Sequence, residues 1–388
     1  MDFSAVPKEV SLGNRFVDWK NNNLLDVPFS DVEARYGAPY YFIHRSDLVG
    51  ALVAAANRHP AIRILTDCRV VEYDFAGPAV KTARGEWLKG DVVVCADGIK
   101  SAVRNEINGH PIEPMDTGDV AYRILVPAQP LLDDPETRHL VKEPWATHWM
   151  GPEGHAVGYP LRGGELYNII IDVTHATDLG KPVGQDEWRS QADNQELVER
   201  FKDWCAPVRK LCGLTGTYLK WRLADFDQLT RWVHPGGKVC LLGDACHPMM
   251  PYMAQGAAQA TEDAGTLAAS LRKYEDIGKA LRAYERQRLP RAAYVARNTR
   301  VLQEWLHLYD GSAREQRDKM MSRDDAGNPI FWGYSKRKDW LFGHDAEELA
   351  DGDAEDIPDL PPMPPSEASV YQETSARNRR RSHEQARL

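Results

Sequence analysis

Two carboxylate-bearing turns hold most of the chemical information in this chain. In the first, the apolar run Val239-Cys-Leu-Leu breaks at Gly243-Asp244, a Pro-punctuated loop follows, and Gln255-Gly256-Ala257 opens an Ala-rich helix. A carboxylate at a strand end accepts hydrogen bonds from ligand hydroxyls, and a helix start beside it offers free N–H groups to an anionic group. Asp244 alone would also serve as a plain turn or helix-cap residue. In the second, Asp91-Val-Val-Val-Cys-Ala96 runs into Asp97-Gly98, ahead of Ser101-Ala-Val-Arg104. Gly98 has no Cβ and lets a backbone approach a phosphate closely, although Asp-Gly after a strand is as often a simple turn. Arg45, in Tyr41-Phe-Ile-His44-Arg45-Ser-Asp-Leu, sits at a strand-to-helix junction. There it can form charge-assisted bonds to ligand oxygens, or lie on the surface.

The elements that position these residues follow from pattern. Leu48, Val49, Leu52 and Val53 fall at helical spacing behind Ser46, a plausible N-cap, which predicts a helix over 46–58. Strands are expected at 62–65 and 69–74, and the near-continuous apolar run 91–96 reads as a parallel strand covered on both faces. From 119 to 223 the texture changes to alternating strands at 120–126, 146–150, 155–160, 166–172 and 218–222, the pattern of an antiparallel sheet with one ligand-facing side. A helix is expected over 185–205. After Gly265 comes a long helical region, with a break or kink near Pro290. Beyond Gly343 the chain turns acidic, then Pro-rich, then basic, and reads as a disordered tail.

The 388 residues suit two packed domains, with 43% apolar and 27% charged residues. A net charge of -9 argues against a nucleic-acid partner. No apolar run approaches a membrane span and Met1-Asp-Phe-Ser-Ala-Val-Pro lacks the form of a signal peptide, so a cytoplasmic location is expected. The six cysteines form no Cys-x-x-Cys pair, and no metal site is expected.

The stretch 239–265 resembles the flavin-contacting Gly-Asp motif of the class A, salicylate hydroxylase-like, FAD-dependent aromatic monooxygenases. Val94-Cys-Ala-Asp97-Gly98-Ile-Lys-Ser-Ala-Val-Arg104 is similar to that family's Asp-Gly motif, and His44-Arg45-Ser-Asp-Leu to its Arg-bearing segment. The resemblance extends through Thr117-Gly-Asp-Val-Ala-Tyr122-Arg123, Val157-Gly-Tyr159-Pro160, Glu165-Leu-Tyr-Asn168 and the segment 307–318. It implies an α/β fold: an incomplete Rossmann-like parallel sheet for FAD over 1–118 and 228–278, and an antiparallel substrate sheet over 119–227. C-terminal helices over 279–345 and a tail over 346–388 complete it. It implies that Arg45, Asp97, Gly98, Asp244, Gly256 and Ala257 hold FAD, and that Arg123 and Tyr159 face the substrate. Physically, Arg123 suits an anionic phenolate or carboxylate and Tyr159 an oxyanion, while an ion-paired Arg and a half-buried Tyr describe them equally well. His148, Trp149 and Tyr167 are weaker pocket candidates.

The activity implied is hydroxylation of an aromatic or phenolic small molecule with NAD(P)H and O2 through a C4a-hydroperoxyflavin. Epoxidation or oxidative decarboxylation would share these motifs. A homo-oligomer is possible. The family's Gly-x-Gly-x-x-Gly turn is absent, and Leu12-Gly-Asn-Arg-Phe-Val-Asp-Trp-Lys resembles family sequence well downstream of it. A truncated chain lacking the first βαβ unit is therefore expected. The alternative reading is a non-catalytic homologue or interaction protein without bound FAD.

Overall fold

The computed structural model describes residues 6–175, 179–184, 188–349, 356–369 and 371. The chain opens with β1 (Lys8–Val10), β2 (Gly13–Asp18), β3 (Asn23–Pro28), α1 (Val32–Tyr36), β4 (Tyr41–Ile43) and α2 (Arg45–Arg58). A small antiparallel sheet follows, β5 (Val70–Asp74), β6 (Ala79–Thr82) and β7 (Trp87–Lys89), then β8 (Val93–Cys95) and α3 (Val103–Asn108). The middle of the chain is β9 (Met115–Pro127), α4 (Gln129–Asp133), α5 (Arg138–Lys142), β10 (Trp145–Gly151), β11 (Gly154–Leu161) and β12 (Leu166–Thr174). Next come β13 (Arg189–Asp193), α6 (Asn194–Arg200), α7 (Ala206–Cys212), β14 (Thr217–Asp225) and β15 (Val239–Leu241). The last helices are α8 (Gly256–Lys273), α9 (Ile277–Leu306), α10 (Ser312–Met321) and α11 (Ser335–Phe342).

Period-two alternation builds the central feature, an eight-stranded sheet in the order β13-β14-β9-β12-β11-β10-β2-β3. One face carries Tyr122, Ile124, Trp149, Ala156, Tyr167, Ile169 and Ile171, all almost fully buried with Leu197 of α6, Phe201 at its C-cap, and Val208 and Leu211 of α7. The opposite face carries His148, His155, Val157, Tyr159, Ile170, Asp172 and Arg123, as the cross-strand register requires. That face looks toward the rest of the chain and is where polar residues collect. Trp149 and Tyr167 therefore belong to the apolar core and not to a pocket.

The sheet is mixed: β10 pairs with β2 in parallel, so residues 13–28 join it although the sequence reading assigned them to the cofactor half. The expected parallel strand is β8, which runs parallel to β15 in register Val93↔Val239 to Cys95↔Leu241. Val94 remains 39% exposed, so β8 is covered less completely than its composition suggested.

Other expectations are corrected by local chemistry. Residues 62–65 form no strand, and Ile62, Ile64 and Leu65 stand exposed. Helix α2 starts at Arg45, with His44 at the cap; the Ser46 hydroxyl bonds His44 Nδ1 at 2.7 Å instead of a backbone N–H. No residue of α2 is buried. The helix expected over 185–205 is a strand followed by α6, because Asp193 ends the pairing and caps the helix by accepting from Gln195 N; its first residues, 185–187, lie outside the described part. Helix α9 continues through Pro290, and the break falls earlier, between Lys273 and Ile277.

The stretch 356–369 is docked. Pro358, Pro361 and Pro364 are buried at a spacing of three, the repeat of a polyproline II strand. Its carbonyls, free of any ladder, accept from Trp305 Nε1 (Pro362 O, 2.7 Å) and from Arg337 Nε (Asp359 O, 3.1 Å).

Candidate active site

The two turns come together because β8 and β15 are neighbours and both end at the same side of their sheet. Asp97, Gly98 and Asp244 line one open cleft of about 680 Å³ with Lys100, Trp188, Arg189 and Trp221. Ligands of parallel α/β sheets bind beyond the carboxyl ends of the strands, and this cleft lies there. Gly98 has φ +80°, and nothing lies within 4 Å of where a Cβ would stand, so its backbone is bare toward the cleft. A Cβ on Gly256 would lie 4.0 Å from Asp244 Oδ1, so the start of the 18-residue helix α8 adjoins the carboxylate. No side chain caps α8, which leaves its first N–H groups for a ligand. Ala257 is exposed in the same turn.

Buried polar anchors fix this geometry. Asp263, on α8, accepts from Gly243 N at 3.0 Å, contacts His247 Nε2 at 2.6 Å and pairs with Arg288 at 2.8 Å. Burial alone would raise its pKa, but His247 and Arg288 outweigh it and hold the carboxyl below its usual range. Sequence reasoning gave Asp263 only a helix-dipole role and left Arg104 without one. Arg104 donates to Ala245 O (3.1 Å) and Ile99 O (2.8 Å), tying one carboxylate turn to the other, and its guanidinium lies 4.1 Å from the Phe226 ring centre. Asp244 itself is pushed up by desolvation, with His247 opposing. Cys246, His247 and Asp263 bring ligand atoms within 4.8 Å of one another. The Asp263 oxygens already serve His247 and Arg288, and burial raises the Cys246 thiol well above its usual value.

A second space of about 170 Å³ lies under the polar face of the large sheet, enclosed by Phe42, His148, His155, Tyr159, Asp172 and Tyr252 among others. Its rim reaches Met253 and Ala254, just before α8, and Ala254 is held at φ +52°. Phe42 stacks on Tyr159 with centroids 4.8 Å apart, and Phe16 stacks on His148 at 4.5 Å. Neither ring nitrogen of His148 has a partner, and burial drives this imidazole down to about 3, so it is neutral. Burial raises Tyr159, partly offset by Arg123. Arg123 and Arg45 are exposed, and neither lines the cleft or the cavity.

Comparison with known proteins places the chain in a family. The family described as FAD binding domain matches residues 22–299. The chain is 34% identical over 328 residues to the FAD-dependent monooxygenase OpS4 of Beauveria bassiana (strain ARSEF 2860), covering 82% of this chain and 75% of that one. It is 33% identical over 318 residues to 3-hydroxybenzoate 6-hydroxylase 1 of Aquipseudomonas alcaligenes, covering 81% and 75%. A solved structure, a salicylate hydroxylase substrate complex, superposes with a TM-score of 0.73 at 26% identity, over 89% of this chain and 83% of that one. The chain belongs to the FAD-binding class A monooxygenases, the aromatic hydroxylases, and FAD is its cofactor. NAD(P)H is typical of that family. The donor set suits FAD: paired carboxylates for hydroxyls, a bare glycine and an uncapped helix for its polar edge. No helix among the described residues is long and apolar enough to cross a membrane.

Proposed function

We propose that the protein hydroxylates a small, single-ring phenolic compound, using NAD(P)H and O2, in the cavity between Tyr159 and His148. The observation that carries this reading is that cavity. About 170 Å³ is close to the roughly 150 Å³ apolar site that accepts benzene. Its walls are aromatic, with a few inward polar groups. Bound FAD supplies hydride acceptance and oxygen activation; the side chains bind, orient and exclude water. Asp244 and Asp97 accept from the cofactor's hydroxyls, Gly98 and Gly256 give it close backbone contact, and the α8 N-terminus around Ala257 stabilises negative charge on its ring. Arg45, exposed at the first position of α2 and outside the cleft as it stands, would contact the cofactor only by extending its side chain toward it.

In the cavity, the stacked Phe42–Tyr159 pair forms an aromatic wall against the substrate ring and His148 donates to or accepts from a ring substituent. Tyr159 hydrogen-bonds a substrate oxygen, and Arg123 adds a positive field from outside. The test is NAD(P)H oxidation by FAD-reconstituted protein against a panel of monohydroxy- and dihydroxybenzoates, with mass spectrometry for one added oxygen. Turnover with a product one oxygen heavier is expected. A colourless protein that consumes no NAD(P)H with any of them would refute the proposal.

A further inference from the structure

We propose that Asp119 is the proton acceptor for a substrate hydroxyl bound in the cavity, reached through side-chain hydrogen bonds and drained to a separate surface groove through Tyr371. The proposal rests on reading the cavity as the substrate site.

Asp119, fully buried on β9, is the meeting point of two lines of polar contacts from the cavity wall, hydrogen bonds throughout except for the 3.4 Å ion-pair contact between Asp172 and His155. The short line is Tyr252, which lines the cavity and donates to Asp119 Oδ2. The long line starts at Asp172, whose Oδ1 has no partner and whose Oδ2 lies 3.4 Å from His155 Nε2. His155 Nδ1 meets His307 Nε2 at 2.7 Å, His307 Nδ1 meets Thr174 Oγ1 at 2.8 Å, and Thr174 donates to Asp119 Oδ1 at 2.7 Å. On the far side Tyr371 donates to Asp119 Oδ2 at 3.1 Å. Tyr371 lines a different space, a groove of about 630 Å³ that also includes Gln303, Glu304 and Arg300. Buried polar groups of this number need only pair locally to be satisfied. Here they pair in sequence, from one space to another.

The transfer balances. The substrate O–H bond breaks as its proton goes to Asp172 Oδ1, and the Asp172 Oδ2 proton passes to His155 Nε2. The His155 Nδ1 proton passes to His307 Nε2, the His307 Nδ1 proton to Thr174 Oγ1, and the Thr174 hydroxyl proton to Asp119 Oδ1. The Asp119 proton passes on to the Tyr371 oxygen as the Tyr371 hydroxyl proton goes to water in the groove, so the result is a phenolate in the cavity, a proton in solvent and a regenerated Asp119 carboxylate, and every intermediate group has gained one proton and given one. On the short line the Tyr252 hydroxyl alone does the same.

The environment suits these roles. Burial pushes Asp119 up to about 7, with the hydroxyls of Tyr252, Thr174 and Tyr371 restraining it. Burial also raises Asp172 well above its usual value, lowers His155 well below its own, and takes His307 to about 3. Burial thus favours a protonated Asp172 carboxyl and neutral imidazoles, the forms the sequence of transfers uses. The titratable and charged groups facing this cluster are Asp172 from β12, His155 and His148 from β11 and β10, Arg123 from β9 itself, Glu304 from α9 and His307 at the C-cap of α9. Tyr252 and Tyr371 face it from the loops, with Asp225 beside Tyr371.

The probe is 3-nitrophenol, whose phenolate absorbs visible light and whose own hydroxyl titrates well above pH 7, mixed rapidly with the FAD-loaded protein without reductant. The wild type should form bound nitrophenolate at a rate that rises with pH through about 7 and falls in D2O. Asp119→Asn should slow this about tenfold or more and remove the pH step, while binding of 3-nitroanisole, which has no proton to lose, stays unchanged. Tyr371→Phe, which removes one hydroxyl from the groove side, should slow it and keep the step. A wild-type rate and pH step in Asp119→Asn would overturn the relay alone. Should that variant not fold, an unchanged rate and isotope effect in Tyr371→Phe would overturn it. No saturable signal from the wild type would overturn the cavity reading, and the relay with it.

Discussion

Asp244 and His148 illustrate two ways in which a single side chain announces a ligand. Asp244 is an exposed carboxylate just past a strand end, beside an uncapped helix, and both the carboxylate and the helix start await a hydrogen-bonding partner. Bonds to a charged group contribute about 1.5–3 kcal/mol. Asp244→Ala should therefore weaken FAD binding roughly ten- to hundredfold, measured by quenching of flavin fluorescence on titration. His148 is a neutral imidazole with both nitrogens unpartnered at a cavity wall. His148→Phe should raise KM several-fold, about 1 kcal/mol for one neutral hydrogen bond, with little change in kcat. The Michaelis constants of wild type and variant against one phenolic substrate check this, and equal values would show that His148 serves only as packing against Phe16.

At the scale of elements, the site depends on how α8 and α9 hold the Gly243–Ala245 turn. Arg288 is 1% exposed and bonds Glu262, Asp263 and Gln259 at once. Breaking a buried ion pair from one side costs about 3–5 kcal/mol. Arg288→Met should lower stability by that order in urea unfolding and loosen FAD, since Asp263 would lose the charge that keeps it ionised. This anchoring was hidden in the sequence: Asp263 and Arg288 lie 25 positions apart, and acidic residues near a helix start have an ordinary explanation. The antiparallel strands were legible because their alternation is dictated by one buried face. The Pro-rich strap was not, since proline-rich composition suits both a solvated tail and a docked polyproline strand. Only the burial at every third residue separates them. Arg104 shows the same limit, as a residue quoted within a motif whose bridging partner lies 141 positions on.

Across the whole molecule, the polar face of the large sheet gathers acidic groups raised by burial and imidazoles lowered by it. For Asp119 the sign is definite. Its folded value of about 7 exceeds the ordinary 3.8, so the fold retains a proton that the unfolded chain releases between those values. The stability from this group is full below pH 4 and is lost as pH rises through about 7. Asp119→Asn carries no such dependence. Its stability relative to wild type, from urea midpoints at pH 5 and pH 8, should improve toward the higher pH; a constant difference would mean that Asp119 titrates normally.

The parallel pairing of β8 and β15 extends over three residues of each strand, yet it carries both carboxylate turns. So short a ladder opens easily on its own, and a ligand gripping Asp97 and Asp244 would clamp both strands together. Backbone deuterium uptake at 93–95 and 239–241 should accordingly slow when FAD is added, turning this small ladder into an internal gauge of cofactor occupancy.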